Sequence, residues 1–228
     1  MSNFELEETV RVRLERVAPL AAMYVLSPYV WREGGQGPYH LLVRAVNHAE
    51  DSRQKVARIY YGRSDDGLCF VMDKDPIFSP GPGADDHDGC EDPSVARQDG
   101  DYYVFYTGWN QSTETGQLLV ATGPDLTRLT KRGPVLPPST RFQSTKEAEI
   151  VPSSQGGWRL FIEYAAAGSS QIGLASAPTL DGPWTYDEPP FGARPDRFDA
   201  WRLSTGPVVD GMSKHPTMFY NGATRDAH

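Results

Sequence analysis

Cysteine is nearly missing from this chain: Cys69 and Cys90 are the only two, and neither stands in a C-x-x-C or other ligand spacing. A disulfide framework and a thiolate metal centre are therefore not indicated, and the pair reads as two separate reduced thiols. Long apolar runs are missing as well. The stretch "VAPLAAMYVL" (17–26) is too short to span a bilayer, and "MSNFELEETV" before it is acidic where a secretory leader would be basic. The expectation is a cytoplasmic protein without a membrane partner. No basic run or face is visible and the formal net charge is −8, which argues against a nucleic-acid partner, because phosphate backbones are bound by clustered Lys and Arg. Helical periodicity is weak, since 19 prolines and 22 glycines interrupt every window long enough to show it. No G-x-S-x-G elbow and no phosphate-binding glycine loop occurs. His40, His48, His87 and His215 have no nucleophile nearby in sequence and earn no catalytic role.

What the chain has is aromatic residues and a repeat. Eleven Tyr and five Trp suit either sugar stacking or a β-sheet core, and composition does not separate the two. "SPYVWREGGQGPYHLLVRAV" (27–46), "DPSVARQDGDYYVFYTG" (92–108), "EIVPSSQGGWRLFIEY" (149–164) and "GPVVDGMSKHPTMFYNG" (206–222) each read as strand, turn, aromatic-rich strand. The first three are followed by a further strand and turn. Four strands per unit, recurring every roughly 55 to 65 residues, is the order of a β-propeller rather than of a sandwich. The expected architecture is one all-β propeller domain over 1–228, with four visible blade-like units at about 20–80, 88–137, 145–190 and 200–228. The fourth unit stops after its second strand, so the chain reads as a shortened propeller or one that closes its ring with a second copy. The alternating "VRVRLERV" (10–17) is available as a closing or outer strand for a last blade.

In a propeller the first strand of each blade lines the central channel. Aligning the hairpins on their turns places Asp92 level with Ser27, Glu149 and Gly206, to within one residue. Asp92 and Glu149 then face one funnel from rigid strands, with Pro93 holding the residue before it extended. A turn cap or an arginine partner is the structural alternative for Asp92. The acidic stretch "GADDHDGCED" (83–92), with Asp85, Asp86, His87, Asp88, Glu91 and Asp92, matches no metal-loop spacing and reads as a solvated turn before it reads as a Ca²⁺ or Mg²⁺ site.

Four segments, "GCEDPSV" (89–95) running into "DGDYYVFYTG", "YHLLVRAV" (39–46), "KEAEIVP" (146–152) and "FYNGATRDA" (219–227), resemble glycoside hydrolase family 130, five-bladed propellers that comprise β-mannoside phosphorylases and related hydrolases. The resemblance makes Asp92 the proton donor to the departing glycosidic oxygen, relayed through a sugar hydroxyl. It makes Arg44, Glu91, Lys146, Glu163, Tyr220, Asn221 and Asp226 substrate-contacting positions, with neither a cofactor nor a metal. Two departures bear on the reaction: Ser94 stands where the phosphorylases of the family read Glu-Asp-Pro-Arg, and Glu163-Tyr164 stands where they carry His-Arg. A pocket that holds phosphate collects cations, and here two are replaced and a carboxylate is added.

Inverting hydrolysis needs a second carboxylate, ~6.5–9.5 Å from the acid, to activate water. Glu149 is the expected base, with Glu147 or Glu163 taking the role if the register differs. The expectation is a glycosidase acting on a β-mannoside or related small oligosaccharide. Its alternatives are a phosphorylase using inorganic phosphate through Lys146 and Arg44, and a non-catalytic carbohydrate-binding propeller in which Trp109, Tyr106, Trp158 and Trp201 stack on sugars.

Overall fold

Strands dominate because apolar residues alternate along short segments that glycine and proline punctuate. The computed structural model describes residues 8–83, 85–209, 212 and 216–226. Among them the only helical segments are three single 3₁₀ turns, at Leu20–Ala22, Glu33–Gly35 and Ser52–Gln54, and no helix is long and apolar enough to cross a membrane.

The chain runs through successive antiparallel meanders. The first comprises β1 (Arg13–Glu15), β2 (Met23–Arg32), β3 (Tyr39–Asn47), β4 (Ala57–Ser64) and β5 (Cys69–Met72). The second comprises β6 (Gly89–Gln98), β7 (Asp101–Asn110), β8 (Thr115–Gly123) and β9 (Thr130–Pro134). The third comprises β10 (Gln143–Pro152), β11 (Trp158–Ala166), β12 (Ser169–Ala177) and β13 (Thr185–Asp187). The fourth is built of short strands, β14 (Arg202–Ser204) with β17 (Asn221–Ala223) and β15 (Val208–Val209) with β16 (Thr217–Met218). Within the fourth expected hairpin, residues 210, 211 and 213–215, His215 among them, lie outside the described residues. A single parallel bridge, Ala57 to Gly89, links the first two meanders.

The middle strands feed two cores each. In β7, Tyr103 and Phe105 pack with Ile150, Leu160, Ile162 and Trp184 of the third meander, while Tyr102, Val104 and Tyr106 pack with Leu42 and Ile59 of the first. A strand buried on both faces reads as a continuous apolar run, which is why "YYVFY" shows no alternation of polarity. A third cluster joins the third and fourth meanders through Val151, Phe161, Ile172 and Leu203. Blades stacked face to face through such clusters make a β-propeller. Each fully buried large side chain here contributes about 1.5–3 kcal/mol, so the blade interfaces, more than the turns, fix the geometry of the centre.

One strand lies elsewhere than the sequence pattern placed it. Arg13–Glu15 pairs in parallel with β5, on the outer edge of the first blade rather than a last one. Leu14 decides this by packing on the cluster of Leu20, Leu41, Tyr60 and Phe70.

Candidate active site

The innermost strands of the first three blades share one irregularity. Two residues oppose one at Ser27-Pro28 (against Val43), Asp92-Pro93 (against Tyr106) and Glu147-Ala148 (against Ile162), with register shifts between Leu26 and Tyr29, Glu91 and Ser94, and Lys146 and Glu149. The first residue of each bulge has positive φ: 45° at Ser27, 45° at Asp92 and 49° at Glu147. Non-glycine residues in this region are strained by about 1–3 kcal/mol, and such strain concentrates where a side chain is aimed for a task.

The register makes Asp92 equivalent to Ser27 and Glu147, two residues before the Glu149 that turn-based alignment selects. Proline marks the first two bulges. Alanine at 148 leaves the third unmarked, so the displacement is not visible in the sequence.

A second register position faces the same centre. Arg44 opposes Leu26, Thr107 opposes Glu91, and Glu163 opposes Lys146. Each reaches toward the following meander: Arg44 Nη1 lies 3.5 Å from Asp92 Oδ1 and Thr107 Oγ1 accepts from the Glu147 N–H at 3.2 Å, both at bulges, and Glu163 Oε2 accepts from Ser204 Oγ on the regular strand β14.

Asp92 is 9% exposed. Ser27 Oγ donates to its Oδ1 at 2.6 Å, and among the described residues Oδ2 receives no hydrogen bond. Arg44 also donates to Glu91 Oε1 at 2.7 Å, so one guanidinium serves two carboxylates. Burial, opposed by Arg44 and reinforced by the Asp92 charge, pushes the Glu91 carboxyl up to about 7.

On the third blade Lys146 pairs with Glu163 Oε1 at 2.9 Å. Burial, the largest single influence, would depress the lysine, but the Glu163 charge and hydrogen bond together with the Glu147 and Asp92 charges outweigh it and the ammonium is held above its ordinary value. Burial, then the charges of Glu163 and Asp92, push Glu147 up to about 7. Burial alone pushes Glu149 up to about 7, against one weak donor, the Val208 N–H at 3.3 Å.

Ser27, Asp92, Glu147, Glu149, Ser204, Thr205, Val208 and Asn221 line one cavity of about 810 Å³, within the range that holds small ligands. A recess of about 300 Å³ adjoins it, lined by Ser144, Lys146, Glu163, Ser169 and Ser170. Glu147, Arg202 and Ser204 line both. The arrangement places carboxylates from successive blades around one cavity, with Asp92 on one bulge and Glu147, linked through Ser204 to Glu163, on the next.

Of the positions expected from sequence, Asp92, Glu149 and Asn221 line the cavity, Lys146 and Glu163 line the recess, and Arg44 and Glu91 stand behind Asp92. Tyr220 is turned to Asp199 and Arg194 instead, at 2.7 and 2.9 Å, and Asp226 is exposed and lines neither space. Sequence reasoning missed Ser204, Thr205 and Arg202; nothing in "WRLSTG" marks them before the blades are assembled.

None of Trp109, Tyr106, Trp158 and Trp201, the aromatic residues considered for stacking, lines the cavity or the recess. Tyr106 is buried with its hydroxyl on Asp86, Trp158 donates to Gln98, and the Trp201 ring is covered by Arg225. In the 83–92 stretch Asp86 is turned inward to Lys131 at 2.5 Å. Among the described residues no group of three or more His, Cys, Asp or Glu side chains is arranged to hold a metal ion.

A β-propeller whose axial cavity is lined by carboxylates on strained bulges has the architecture of the propeller glycosidases. A sequence model of glycoside hydrolase family 130, described as β-1,4-mannooligosaccharide phosphorylase, matches residues 39–189. The chain belongs to that family.

A curated 1,2-β-oligomannan phosphorylase from Thermoanaerobacter sp. is 29% identical over 125 residues, which is 53% of this chain and 40% of that protein. A glycosyl hydrolase from Bacteroides ovatus superposes with a TM-score of 0.71 at 24% identity, over 89% of this chain and 61% of that one. A β-1,2-mannobiose phosphorylase from Listeria innocua superposes with a TM-score of 0.70 at 19% identity, over 92% of this chain and 72% of that one. The chain thus spans about two fifths of the curated relative and three fifths of the Bacteroides protein, and at these identities the structures establish the fold.

Proposed function

We propose that this chain cleaves a β-mannoside, or a related small oligosaccharide, by inverting hydrolysis, with Asp92 as proton donor and Glu147 as the base that activates water. The observation carrying this reading is that Asp92 and Glu147 stand on equivalent bulges of adjacent blades and open into one cavity. Glu149 opens into the same cavity and serves as a contact for sugar hydroxyls. The β-mannoside class follows from the family and from the relatives, which are named for β-1,2- and β-1,4-mannosides.

In the proposed reaction the water oxygen bonds to the anomeric carbon as its proton passes to Glu147. The glycosidic C–O bond breaks on the opposite face, and the leaving oxygen takes a proton from Asp92, directly or through a sugar hydroxyl. Glu91, Arg44 and Asp92 form the cluster that holds this proton, and the free Oδ2 of Asp92 is where it is presented. A base held up to about 7 places the acid limb of the rate profile near neutrality.

Phosphorolysis is the second reading. It is favoured by the recess that brings Lys146 and Arg202 together with Ser144, Ser169 and Ser170, a group able to receive an anion. Against it, Lys146 is already paired with Glu163, and Arg44 with Glu91 and Asp92.

Product analysis separates the two. Purified protein is incubated with β-1,2- and β-1,4-mannobiose, with and without inorganic phosphate, beside Asp92→Asn. Free mannose formed without phosphate and lost in the variant is expected. Mannose 1-phosphate formed only with phosphate overturns the hydrolytic reading, and no product under either condition overturns both.

A further inference from the structure

Ser204 stands where two carboxylates meet. Its Oγ lies 2.7 Å from Glu147 Oε2 and also makes a short hydrogen bond to Glu163 Oε2. A serine hydroxyl carries one hydrogen. It can donate to one of these oxygens, and the other can approach only if it carries a proton of its own and donates to the serine oxygen. The observed convergence is therefore the geometry of a carboxylic acid, a hydroxyl and a carboxylate in a chain.

The groups facing this chain fix its polarity. Lys146, on the same strand as Glu147, pairs with Glu163 Oε1 at 2.9 Å and balances the charge of that carboxylate. Asp92, on the preceding blade, adds a negative charge next to Glu147. Arg202, on the same short strand as Ser204, lines both adjoining spaces. Among the described residues Glu163 has an ion pair and Glu147 has none, which assigns the proton to Glu147, donating to Ser204, which donates to Glu163.

The backbone around the chain is gripped. The Glu147 N–H donates to Thr107 Oγ1 at 3.2 Å, and Thr205 Oγ1 donates to the Glu147 carbonyl. Both contacts come from neighbouring blades, so the bulge residue is held from either side. The serine is a fixed link rather than a mobile surface hydroxyl.

We propose that Ser204 is a positioning residue that joins Glu147 and Glu163 into one unit sharing a single proton, and that it sets the basicity of Glu147 toward water. The inference rests on Glu147 being the base of the proposed hydrolysis. In the base form the unit holds no proton, with Ser204 donating to Glu163. When water attacks, its O–H bond breaks and the proton bonds to Glu147, which then donates to Ser204. The convergence of both carboxylates on Ser204 Oγ accommodates this proton-loaded form.

The proton leaves Glu147 afterwards in one of two ways, both balanced. It passes directly to solvent, or the chain shifts in concert: Glu147 gives its proton to Ser204 Oγ, and the serine gives its own to Glu163. The serine bond to the newly loaded acid exists only after transfer, so it stabilises the accepted proton.

The test is a carboxyl ¹³C titration of glutamate-labelled protein by NMR, with Glu147→Gln and Glu163→Gln assigning the two signals. The same proteins are then assayed for the pH dependence of kcat/KM on β-mannobiose. The two signals are expected to titrate together in the parent. Ser204→Ala is expected to lower the upper midpoint by roughly one pH unit, since it removes the acceptor of the loaded acid; a midpoint that rises instead means that Ser204 donates to the Glu147 carboxylate and overturns the proton chain. The acid limb of the rate profile is expected to move with it, and Ser204→Thr, which keeps the hydroxyl, to restore both. An upper midpoint unmoved in Ser204→Ala, or a Glu163 signal indifferent to Glu147→Gln, overturns the shared-proton unit. A midpoint that moves in a protein whose turnover survives Glu147→Gln leaves the unit standing and overturns Glu147 as the base. A rate that falls equally at every pH in Ser204→Ala, with unmoved titration, assigns the serine to structure alone.

Discussion

Glu149 is a half-buried carboxyl that has no charged partner among the described residues, and replacing it with glutamine isolates what its desolvation costs. The side-chain amide keeps an oxygen to accept the Val208 N–H, so the exchange removes charge and little else. Burial pushes the folded-state value from an ordinary 4.5 up to about 7. The folded protein therefore holds this proton more tightly than the unfolded chain does, and stability is lost as pH rises from 4.5 through about 7, with the full loss present above it. Each pH unit between the two values is worth about 1.4 kcal/mol, so the ceiling is about 3.5 kcal/mol. Glu149→Gln is expected to be close to neutral at pH 4. At pH 8 it is expected to raise the melting temperature by up to about 7–14 °C, using about 2–4 °C per kcal/mol for a chain of this size. Differential scanning calorimetry at the two pH values is the assay. A melting temperature that rises equally at both pH values, or falls at pH 8, refutes the assignment of a desolvated, unpaired carboxylate. Loss of turnover accompanying gain of stability would mark a group whose cost is retained for function.

Asp92→Asn keeps an oxygen for Ser27 and Arg44 but cannot give a proton; turnover is expected to fall by about 10²–10⁴-fold with the melting temperature unchanged, measured by product release and calorimetry. Ser27→Ala removes the 2.6 Å bond that orients Asp92, and kcat is expected to fall about tenfold with little change in KM, the split that distinguishes orientation from substrate binding. Lys131→Met leaves Asp86, whose side chain is 3% exposed, without its cation, and denaturant unfolding is expected to show a loss of about 3 kcal/mol. A loss below about 1 kcal/mol would mean that Tyr106, which donates to the same carboxylate at 3.0 Å, suffices alone.

The blade order was legible because each meander repeats the same turn chemistry and the same aromatic second strand. Asp92 was legible for a local reason, since proline after it marks the bulge. Glu147 was not, because Ala148 follows it and the same distortion is imposed there by neighbouring blades through Thr107 and Thr205. Arg13–Glu15 has strand alternation but carries no mark of which blade it completes; that is decided by the fit of Leu14 on a distant cluster. Tyr220 lies beside the cavity in sequence, yet the buried Asp199 carboxylate takes its hydroxyl, a competition between polar partners that no spacing shows. Ser204 acquires meaning only once two carboxylates 16 residues apart in the chain converge on it.

The blades repeat a scaffold and break its chemistry at one register position. Arg44, Thr107 and Glu163 are equivalent, and each addresses the next meander, so the series runs cation, neutral hydroxyl, anion. Asp92 consequently sits beside a guanidinium that it shares with Glu91, and Glu147 sits beside a hydroxyl on one side and a paired carboxylate on the other. Identical bulges thereby place two carboxylates in unlike fields, the condition under which the proposed division of proton donor from base can arise. The same break bears on the nucleophile. Glu91, Asp92, Glu147, Glu149 and Glu163 surround the cavity and recess against Arg44, Lys146 and Arg202, and two of those three cations are already ion-paired. A phosphate dianion entering there has to displace Glu163 from Lys146 or add to an excess of negative charge. Water enters without either cost, and the residue that makes the difference is the glutamate standing at the position equivalent to Arg44.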